Sequence, residues 1–304
     1  MKVVIAGGTG SLGRRLASDI AGHGDEVVIL TRTSRPDIAH RQVEWDGHTV
    51  GAWASELAGA TVINLAGELV DRRPTASNID LLRRSRVEPT EALVSASSQL
   101  SEPPVLWLQM STLAVYGDAG QEVIDESHPV ASGPAQMPGI ALPWEAAAAG
   151  AVTERLVTMR TGIVLDTGTP AFNRLARLTH FGLGGRIGTG DQWISWIHID
   201  DFLRAVSFLR ARSDLSGVVH VTAPEPVLNR DMMASLRQAL HRPWSPPTPR
   251  PLVHAGALLM RTDPALALTG RRCIPRRLAD AGFDFEYPTF DDAVADLASS
   301  RSGL

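Results

Sequence analysis

Along the first half of the chain, short runs of β-branched and apolar residues alternate with stretches of helical periodicity. The first apolar run covers residues 2–6 and leads into a segment where Leu12, Leu16 and Ile20 recur at helical spacing. Such alternation is typical of βαβ units, which build a parallel sheet with helices on both faces. The pattern therefore predicts an α/β protein with a Rossmann-type, doubly wound parallel sheet and a smaller C-terminal lobe.

The same pattern predicts where the elements lie. Buried strands are predicted at residues 2–6, 26–30, 61–65, 105–110, 156–160 and 218–221. Helices are predicted at 12–23 and 79–100, and a helix–strand–helix pattern at 275–297. Segments rich in glycine or proline are predicted to be irregular, at 132–143, 167–193 and 242–251. We expect residues 1–165 to form the nucleotide-binding domain, with its sheet completed by about 196–222, and residues 166–304 to form the substrate lobe.

A glycine-rich turn joins the first predicted strand to the first predicted helix. Its glycines follow the spacing G-x-x-G-x-x-G, with one additional glycine at position 8. Glycines permit a tight turn and close approach of the backbone to a pyrophosphate, and the helix N-terminus adds free N–H groups. The turn therefore predicts a dinucleotide site. Its predicted contacts are Gly7, Thr9, Gly10, Ser11, Leu12 and Gly13.

The end of the second predicted strand bears on the choice between NAD and NADP. In this fold an acidic residue at that place binds the adenosine ribose hydroxyl groups of NAD. Here the strand ends at Thr31 and Arg32, with Arg35 just beyond. Arginine pairs bidentately with phosphate, so we predict NADP(H) as the cofactor, with Thr31 and Arg32 as contacts. The alternative is that Arg32 is an ordinary surface arginine.

Composition narrows the classes of partner and location. The formal net charge of −4 gives no electrostatic reason to expect nucleic acid. The single cysteine excludes an internal disulfide, and no apolar run approaches the roughly 20 residues of a membrane span. The N-terminal run lacks the features of a signal peptide. We therefore expect a cytoplasmic protein with a small-molecule substrate and no nucleic-acid or membrane partner, and a homodimer is left open.

Several segments, in order along nearly the whole chain, together resemble one superfamily. They are the glycine-rich turn and residues 64–68, 85–90, 111–117, 144–147, 160–165, 192–201 and 278–288. As a set they resemble the extended short-chain dehydrogenase/reductases. Within that superfamily they are similar to the atypical NAD(P)-dependent epimerase family, which carries a C-terminal domain of unknown function.

The resemblance implies a role for each matching position. It implies that Leu65, Ala66 and Gly67 pass under the adenosine ribose and pyrophosphate. It also implies that Arg86 contacts the cofactor, and that Arg160 and Gly162 flank the nicotinamide. Thr112 matches the superfamily's catalytic serine or threonine, which bonds a substrate carbonyl or hydroxyl. Each has a plainer alternative: a strand-end turn at 64–67, a solvated helix arginine at Arg86, and a hydroxyl that satisfies local backbone at Thr112.

The catalytic pair of the superfamily, Tyr-x-x-x-Lys, is missing from the sequence. At the aligned place Ala141 replaces the tyrosine and Glu145 replaces the lysine, and the only lysine in the chain is Lys2. Tyr116 follows Thr112 by four residues, so both side chains are expected to face the cleft. A tyrosine is protonated at neutral pH, so Tyr116 is a candidate proton donor. Glu145, if burial raises its pKa, and water are the other candidates.

Three functions remain open at this point. The first is an NADPH-dependent oxidoreductase or epimerase acting on a small carbonyl or hydroxyl compound, with Thr112 orienting the substrate oxygen. The second is a non-catalytic NADP(H) sensor or regulatory module. The third, a sugar-nucleotide epimerase, is less favoured because that chemistry needs a strong tyrosine base.

Other motifs are assigned structural roles. The second glycine-rich run, 182–188, lacks a strand before it and a helix after it, so it is predicted to be a loop. His198 is expected to be structural, with Asp200 or Asp201 capping the helix that follows. The nine histidines show no H-x-x-x-H spacing, so no metal site is predicted. Four aromatic residues suggest either a substrate pocket or core: Phe181, Trp193, Trp196 and Trp244.

Overall fold

The computed structural model of the chain describes residues 1–242 and 244–302. Its strands, in chain order, are β1 (Lys2–Ala6), β2 (Glu26–Thr31), β3 (Arg41–Glu44), β4 (Thr61–Asn64), β5 (Leu106–Thr112), β6 (Val123–Ile124), β7 (Leu156–Thr161), β8 (Ile163–Leu165), β9 (Trp193–Ile194), β10 (Trp196–His198), β11 (Gly217–Val221), β12 (Val227–Leu228) and β13 (Arg272–Cys273). The helices are α1 (Ser11–Gly22), α2 (Ala76–Ser97), α3 (Pro138–Ala148), α4 (Pro170–His180), α5 (Ile199–Ala211), α6 (Asn229–Ala239), α7 (Arg250–Met260), α8 (Ala265–Leu268), α9 (Arg276–Asp280) and α10 (Phe290–Ser302). Two short 3-10 helices cover Ala52–Leu57 and Leu113–Tyr116.

A parallel sheet organises the described residues. Its strand order is β11-β7-β5-β4-β1-β2-β3, and every neighbouring pair is parallel. The chain runs outward from β1 in one direction to β3 and then in the other direction from β4 to β11. This order reverses between β1 and β4, as in a doubly wound Rossmann sheet. The predicted fold class is confirmed.

Alternating residues of the strands feed two separate core layers, because successive side chains of a strand point to opposite faces. On one face Val3 and Ile5 pack with Leu16 and Ile20 of α1 and with Phe202 of α5. On the other face the intervening residues pack against α2 and the first 3-10 helix. That second layer includes Val4, Ala6, Leu57, Leu93 and Trp107. The sheet is therefore covered on both faces, as its continuous apolar strands predict.

A third apolar cluster lies among elements that follow the seventh strand. It joins α4, α6 and α10, with Phe172, Leu236 and Val294 among its buried members. Trp196 belongs to this core and is fully buried, so it does not line a pocket. Small two-stranded sheets link this part to the rest, pairing β10 with β8, β12 with β9 and β13 with β6. The predicted boundary near residue 165 stays a prediction.

Two segments that are predicted to be irregular, because they are rich in proline or glycine, contain helices. Residues 132–143 include the start of α3, because Pro138 occupies the first helical position, where its missing N–H costs no hydrogen bond. Residues 167–193 include α4. The strand predicted between α9 and α10 is also absent from the described chain. There the N–H groups of Glu286 and Tyr287 donate to the carboxylate of Asp201, and not to a neighbouring strand.

The N-terminus of α5 is capped differently from the prediction. Nδ1 of His198, and not an aspartate, accepts the Asp200 N–H at 3.2 Å. The side chain of His198 is 1% exposed, and its Nε2 lies 3.3 Å from Oδ2 of Asp296. Within residues 1–242 and 244–302, His198, Asp200 and Asp296 are the one group with metal-ligand spacing. Asp200 lies beside Nδ1 and Asp296 beside Nε2, so the two carboxylates flank different ring nitrogens.

No helix in the described part of the chain is both long and apolar enough to cross a bilayer.

Candidate cofactor and substrate cleft

A cleft of about 1080 Å³ opens at the carboxyl ends of the parallel strands. In doubly wound sheets this edge is where ligands bind, because the loops that follow the strands diverge at the reversal of strand order. With one exception, Arg160, all of the cofactor contacts that the sequence predicts line this cleft: Gly7, Thr9, Gly10, Ser11, Leu12, Gly13, Thr31, Arg32, Leu65, Ala66, Gly67, Arg86, Thr112 and Gly162. The fold thus brings together residues that lie up to 155 positions apart.

The glycine-rich turn is packed too tightly for side chains at two positions. Gly7 has a φ of +80°, and a Cβ there would lie 2.9 Å from the carbonyl carbon of Leu65. A Cβ on Gly13 would lie 2.6 Å from the carbonyl oxygen of Gly7. The turn is closed by a hydrogen bond of 3.1 Å from the Gly10 N–H to that same oxygen. Strand β1, helix α1 and the turn after β4 can approach this closely because these residues are glycines.

Helix α1 begins without a side chain that could occupy its free N–H groups. Gly10 is the N-cap residue and makes no side-chain cap, and the first turn holds no acidic residue. The first N–H groups of a helix have no partner within the helix and carry the positive end of its dipole. This N-terminus therefore fits the pyrophosphate of a dinucleotide.

Arg32 lies at the end of the cleft beside β2, and its side chain is 76% exposed. Its Nη2 is 3.5 Å from Oε1 of Glu68, and Arg72 competes for that carboxylate at 3.1 Å. Thr33 and Arg35 line the same end of the cleft. The Arg32 guanidinium is therefore held only loosely and is free to pair with an anion.

Arg86 is a buried arginine of α2 that supports the turn after β4. Its Nη2 donates to the Glu68 carbonyl oxygen at 2.8 Å, and its Nη1 donates to the Leu82 carbonyl oxygen at 3.0 Å. A Cβ on Gly67 would come within 3.0 Å of this side chain. Burial lowers the pKa of Arg86 to about 10. The alternative of a solvated helix arginine is therefore wrong, and its predicted contact with a cofactor stays a prediction.

Thr112 ends β5 and caps the short 3-10 helix Leu113–Tyr116. Its Oγ1 accepts the Ala114 N–H at 3.1 Å, which satisfies local backbone as the plainer alternative expects. The hydroxyl can still donate, because a hydroxyl group both accepts and donates hydrogen bonds. Thr112 and the preceding Ser111 both line the cleft.

Tyr116 does not face the cleft, so that prediction is wrong. The 3-10 helix that follows Thr112 turns the chain inward, and Tyr116 is only 4% exposed. Its hydroxyl accepts from Nη1 of Arg160 at 2.8 Å and lies 2.7 Å from Nε2 of His220. Nδ1 of His220 donates to the Ile274 carbonyl oxygen, so Nε2 accepts the tyrosine proton. Burial raises the pKa of Tyr116 to about 12 and lowers the pKa of His220 to about 4.

Glu145 and Arg160 also turn away from the cleft, where the sequence predicted proton transfer and nicotinamide contact. They form a bidentate ion pair, with Nη2 to Oε2 at 2.8 Å and Nε to Oε1 at 3.0 Å. The Ser111 hydroxyl donates to the same carboxylate. Both oxygens of this carboxylate are therefore occupied as hydrogen-bond acceptors away from the cleft. The cleft is lined instead by the next residues along the chain, Thr161, Gly162 and Ile163.

The remaining wall of the cleft is lined by residues that the sequence did not single out as cofactor or catalytic contacts. They are Gln136, Met137, Ile140, Ala141, Trp144, Trp193, Ile194, Ser195, Leu266, Thr269 and Arg271. Of the aromatic residues singled out in the sequence, Trp193 lies in this wall. Phe181 and Trp244 are 72% and 74% exposed and lie outside the cleft, as does the glycine-rich run 182–188.

Family models match both ends of the chain. The model described as the NAD dependent epimerase/dehydratase family matches residues 3–137, and the domain of unknown function DUF1731 matches residues 248–297. The epimerase family protein Mb2239 of Mycobacterium bovis is 31% identical over 99% of this chain and 98% of that protein. The epimerase family protein SDR39U1 of Bos taurus is 30% identical over 98% and 99%.

A solved structure shares the fold over nearly the whole length. The crystal structure of the human epimerase family protein SDR39U1 (isoform 2) with NADPH has a TM-score of 0.86 and 28% identity. The alignment covers 98% of this chain and 99% of that chain. The resemblance found in the sequence is confirmed, and the chain belongs to the NAD(P)-dependent epimerase family whose members carry the DUF1731 domain at the C-terminal end.

Proposed function

We propose that this chain is an NADP(H)-dependent reductase of a small carbonyl compound. The observation that carries the proposal is the position of Thr112, which lines the same cleft as the glycine-rich turn. With Oγ1 already accepting the Ala114 N–H, the hydroxyl proton is the part left for a ligand. A hydrogen bond from that hydroxyl group to a substrate carbonyl oxygen would polarise the carbonyl group and fix its orientation.

The residues present fit a dinucleotide. The glycine-rich turn and the start of α1 would bind the pyrophosphate, and the turn at Leu65 and Ala66 would lie under the adenosine ribose. When bound, the nicotinamide would supply a hydride equivalent. Met137, Ile140 and Trp144 would exclude bulk water from that end of the cleft. The proton that completes reduction would come from a water molecule, since Tyr116 and Glu145 are outside the cleft.

Incubation of the protein with NADPH and a panel of aldehydes and ketones is expected to oxidise NADPH above the blank. The Thr112→Val variant keeps the shape but removes both the donor and the acceptor of the Ala114 N–H, so its kcat/KM should fall about 100-fold. Thr179→Val is the matched control, because the buried Thr179 hydroxyl has no partner among the described residues and lies outside the cleft. The proposal fails if no compound is reduced, or if Thr112→Val matches the wild type.

A second candidate is a non-catalytic NADP(H)-binding module. It is favoured by the ion pair of Glu145 with Arg160 and by the burial of Tyr116, which remove both titratable proton donors from the described cleft. It predicts tight NADPH binding without consumption of any compound in the panel. Epimerisation by proton abstraction is less favoured, because it needs a base beside Thr112.

The preference for NADP over NAD rests on Arg32, and the human relative solved with NADPH supports it. Arg32→Asp is expected to weaken NADPH binding by about 10- to 100-fold and NADH binding much less, since a charge-assisted contact is replaced by repulsion. Titration calorimetry with both cofactors measures this. Arg83→Asp makes the same charge change on α2 outside the cleft and should leave both affinities unchanged. An unaltered NADPH affinity in Arg32→Asp would show that the phosphate lies elsewhere.

A cytoplasmic location, a small-molecule substrate and a homodimer stay predictions.

A further inference from the structure

Arg271 is the one charged side chain among the described cleft residues that follow Pro89 in the chain. They include the remaining wall of the cleft named above, together with Thr161, Gly162 and Ile163. The other charged residues that line the cleft fall within 32–48 and 68–88, on the side of β2 and α2. This single cation therefore shares its part of the cleft lining with apolar residues such as Met137, Ile194 and Leu266.

The guanidinium of Arg271 is only partly satisfied by the protein. Its Nε donates to the Gly117 carbonyl oxygen at 3.0 Å, and its Nη2 lies 3.3 Å from Oγ1 of Thr269 and 3.9 Å from Sδ of Met137. Among residues 1–242 and 244–302, Nη1 forms no hydrogen bond to the protein and no carboxylate lies within ion-pair distance of the guanidinium, although the Asp118 carboxylate is near enough to favour its charged form. Oδ1 of the nearby Asp118 accepts the Gly270 N–H at 2.9 Å.

The backbone holds this side chain in a fixed place. The Arg271 N–H donates to the Trp193 carbonyl oxygen at 2.9 Å, and its own carbonyl accepts from the Ser195 hydroxyl at 3.0 Å. The preceding Gly270 has no room for a side chain, because a Cβ would lie 2.5 Å from the Trp193 nitrogen. The guanidinium is thus positioned before any ligand arrives, which lowers the entropy cost of binding.

A half-buried cation that makes no direct ion pair is stabilised when a ligand pairs with it, and here Asp118 acts on the charge of Arg271 only from a distance. Burial lowers the pKa of Arg271, because desolvation penalises the charged form. Arginine remains charged at neutral pH all the same. An anion that occupies the free edge of this guanidinium would therefore stabilise the folded protein through charge-assisted hydrogen bonds.

We propose that Arg271 binds the carboxylate of the substrate, so that the substrates are small carbonyl compounds bearing one carboxylate and an apolar body. This deepens the proposed reductase function and rests on it. A monoanion fits better than a phosphate, because this wall offers a single positive charge and the remaining lining is largely apolar. The Gly117 carbonyl that receives Nε lies at the far end of the 3-10 helix from Thr112. A four-residue 3-10 helix is about 8 Å long, so several bonds should separate the carboxylate from the reacting carbonyl.

Calorimetric titration of the NADP-loaded protein with hexanoate and hexanamide tests the proposal directly. The two probes match in size and differ in charge, so hexanoate should bind at least about tenfold more tightly. Arg271→Gln should remove this preference while NADPH affinity is retained. Arg276→Gln, an exposed arginine of the same lobe paired with Asp125, is the matched control and should keep the preference.

Three outcomes would overturn the proposal: equal affinities of the wild type for the two probes, an unchanged preference in Arg271→Gln, or an equal loss in Arg276→Gln. The wild-type comparison stands even if a variant does not fold. A protein that prefers hexanoate but reduces no carbonyl compound would refute the reductase function and leave the carboxylate site intact. Reduction of carbonyl compounds with no preference for hexanoate would refute the carboxylate site and leave the reductase function intact.

Discussion

Replacing Gly13 with valine is expected to reduce NADPH affinity by about 10- to 100-fold, or about 1.4–2.7 kcal/mol, which lies within the range that overpacking usually costs. A Cβ at this position would lie 2.6 Å from the Gly7 carbonyl oxygen and 2.6 Å from the Gly8 Cα. Both neighbours are backbone atoms, so no side chain can move aside to relieve the contact. The start of α1 must shift away from the turn, and its N–H groups then no longer converge on one phosphate.

Two further glycine variants separate the effect on binding from an effect on folding. A Cβ on Gly10 would meet only the Gly7 carbonyl oxygen, at 3.5 Å, so Gly10→Ala should fold normally. Its methyl group would nevertheless stand at the N-cap of α1, where the backbone must approach a phosphate, and NADPH affinity should still fall about tenfold. Gly22→Ala, at the other end of α1 with nothing within 4 Å, should leave affinity unchanged. Tight NADPH binding by Gly13→Val would refute the cofactor assignment of this turn.

Glu145→Ala is expected to lower the free energy of unfolding by about 3–5 kcal/mol, the usual cost of leaving one member of a buried ion pair uncompensated. The side chains of Arg160 and Glu145 are 8% and 14% exposed. Without Glu145 the guanidinium of Arg160 keeps only its bond to Tyr116, and the Ser111 hydroxyl loses its acceptor. Urea denaturation of the wild type and the variant measures the difference.

Asp80→Ala is the matched control for that experiment. Asp80 pairs with Arg83 and Arg84 on the exposed surface of α2, where side chains are 44–54% exposed. Surface pairs contribute about 0–1 kcal/mol, so this variant should lose little stability. The double variant Glu145→Ala with Arg160→Met removes both charges and should recover part of the loss. If Glu145→Ala were no more destabilised than Asp80→Ala, the ion pair of Glu145 with Arg160 would not stabilise the fold as its burial predicts.

Short sequence patterns predict most strands of the central sheet and the start of the cofactor site. The strands of the central sheet recur within one or two residues of the apolar runs, apart from β3, whose four residues are half-buried or exposed and give no apolar run. The glycine-rich turn and Arg32 were identified because both lie in fixed places relative to β1 and β2. In these cases the chemistry depends on a short segment of chain, which a sequence shows directly.

The rest of the site depends on contacts that no local pattern records. Tyr116 was expected beside Thr112 on the assumption that the chain continues straight past the strand, whereas a 3-10 helix turns it into the core. Glu145 is a candidate proton donor in the sequence because no local pattern shows its partner Arg160, which lies fifteen positions away on a different element. Arg271 is held in the cleft lining by hydrogen bonds to Trp193, Ser195 and Gly117, and the last of these is 154 positions earlier in the chain.

The last strand of the central sheet has a consequence for synthesis of the protein. Strand β11 pairs with β7 in register from Gly217 with Val157 to Val221 with Thr161, although more than fifty residues separate them. While the chain emerges from the ribosome, β7 remains an unpaired sheet edge until Val221 has been made and released. Exposed edges of this kind invite pairing with other chains, and parallel pairing over long separations is slow. Completion of this side of the sheet therefore waits for the synthesis of β11, more than fifty residues after β7.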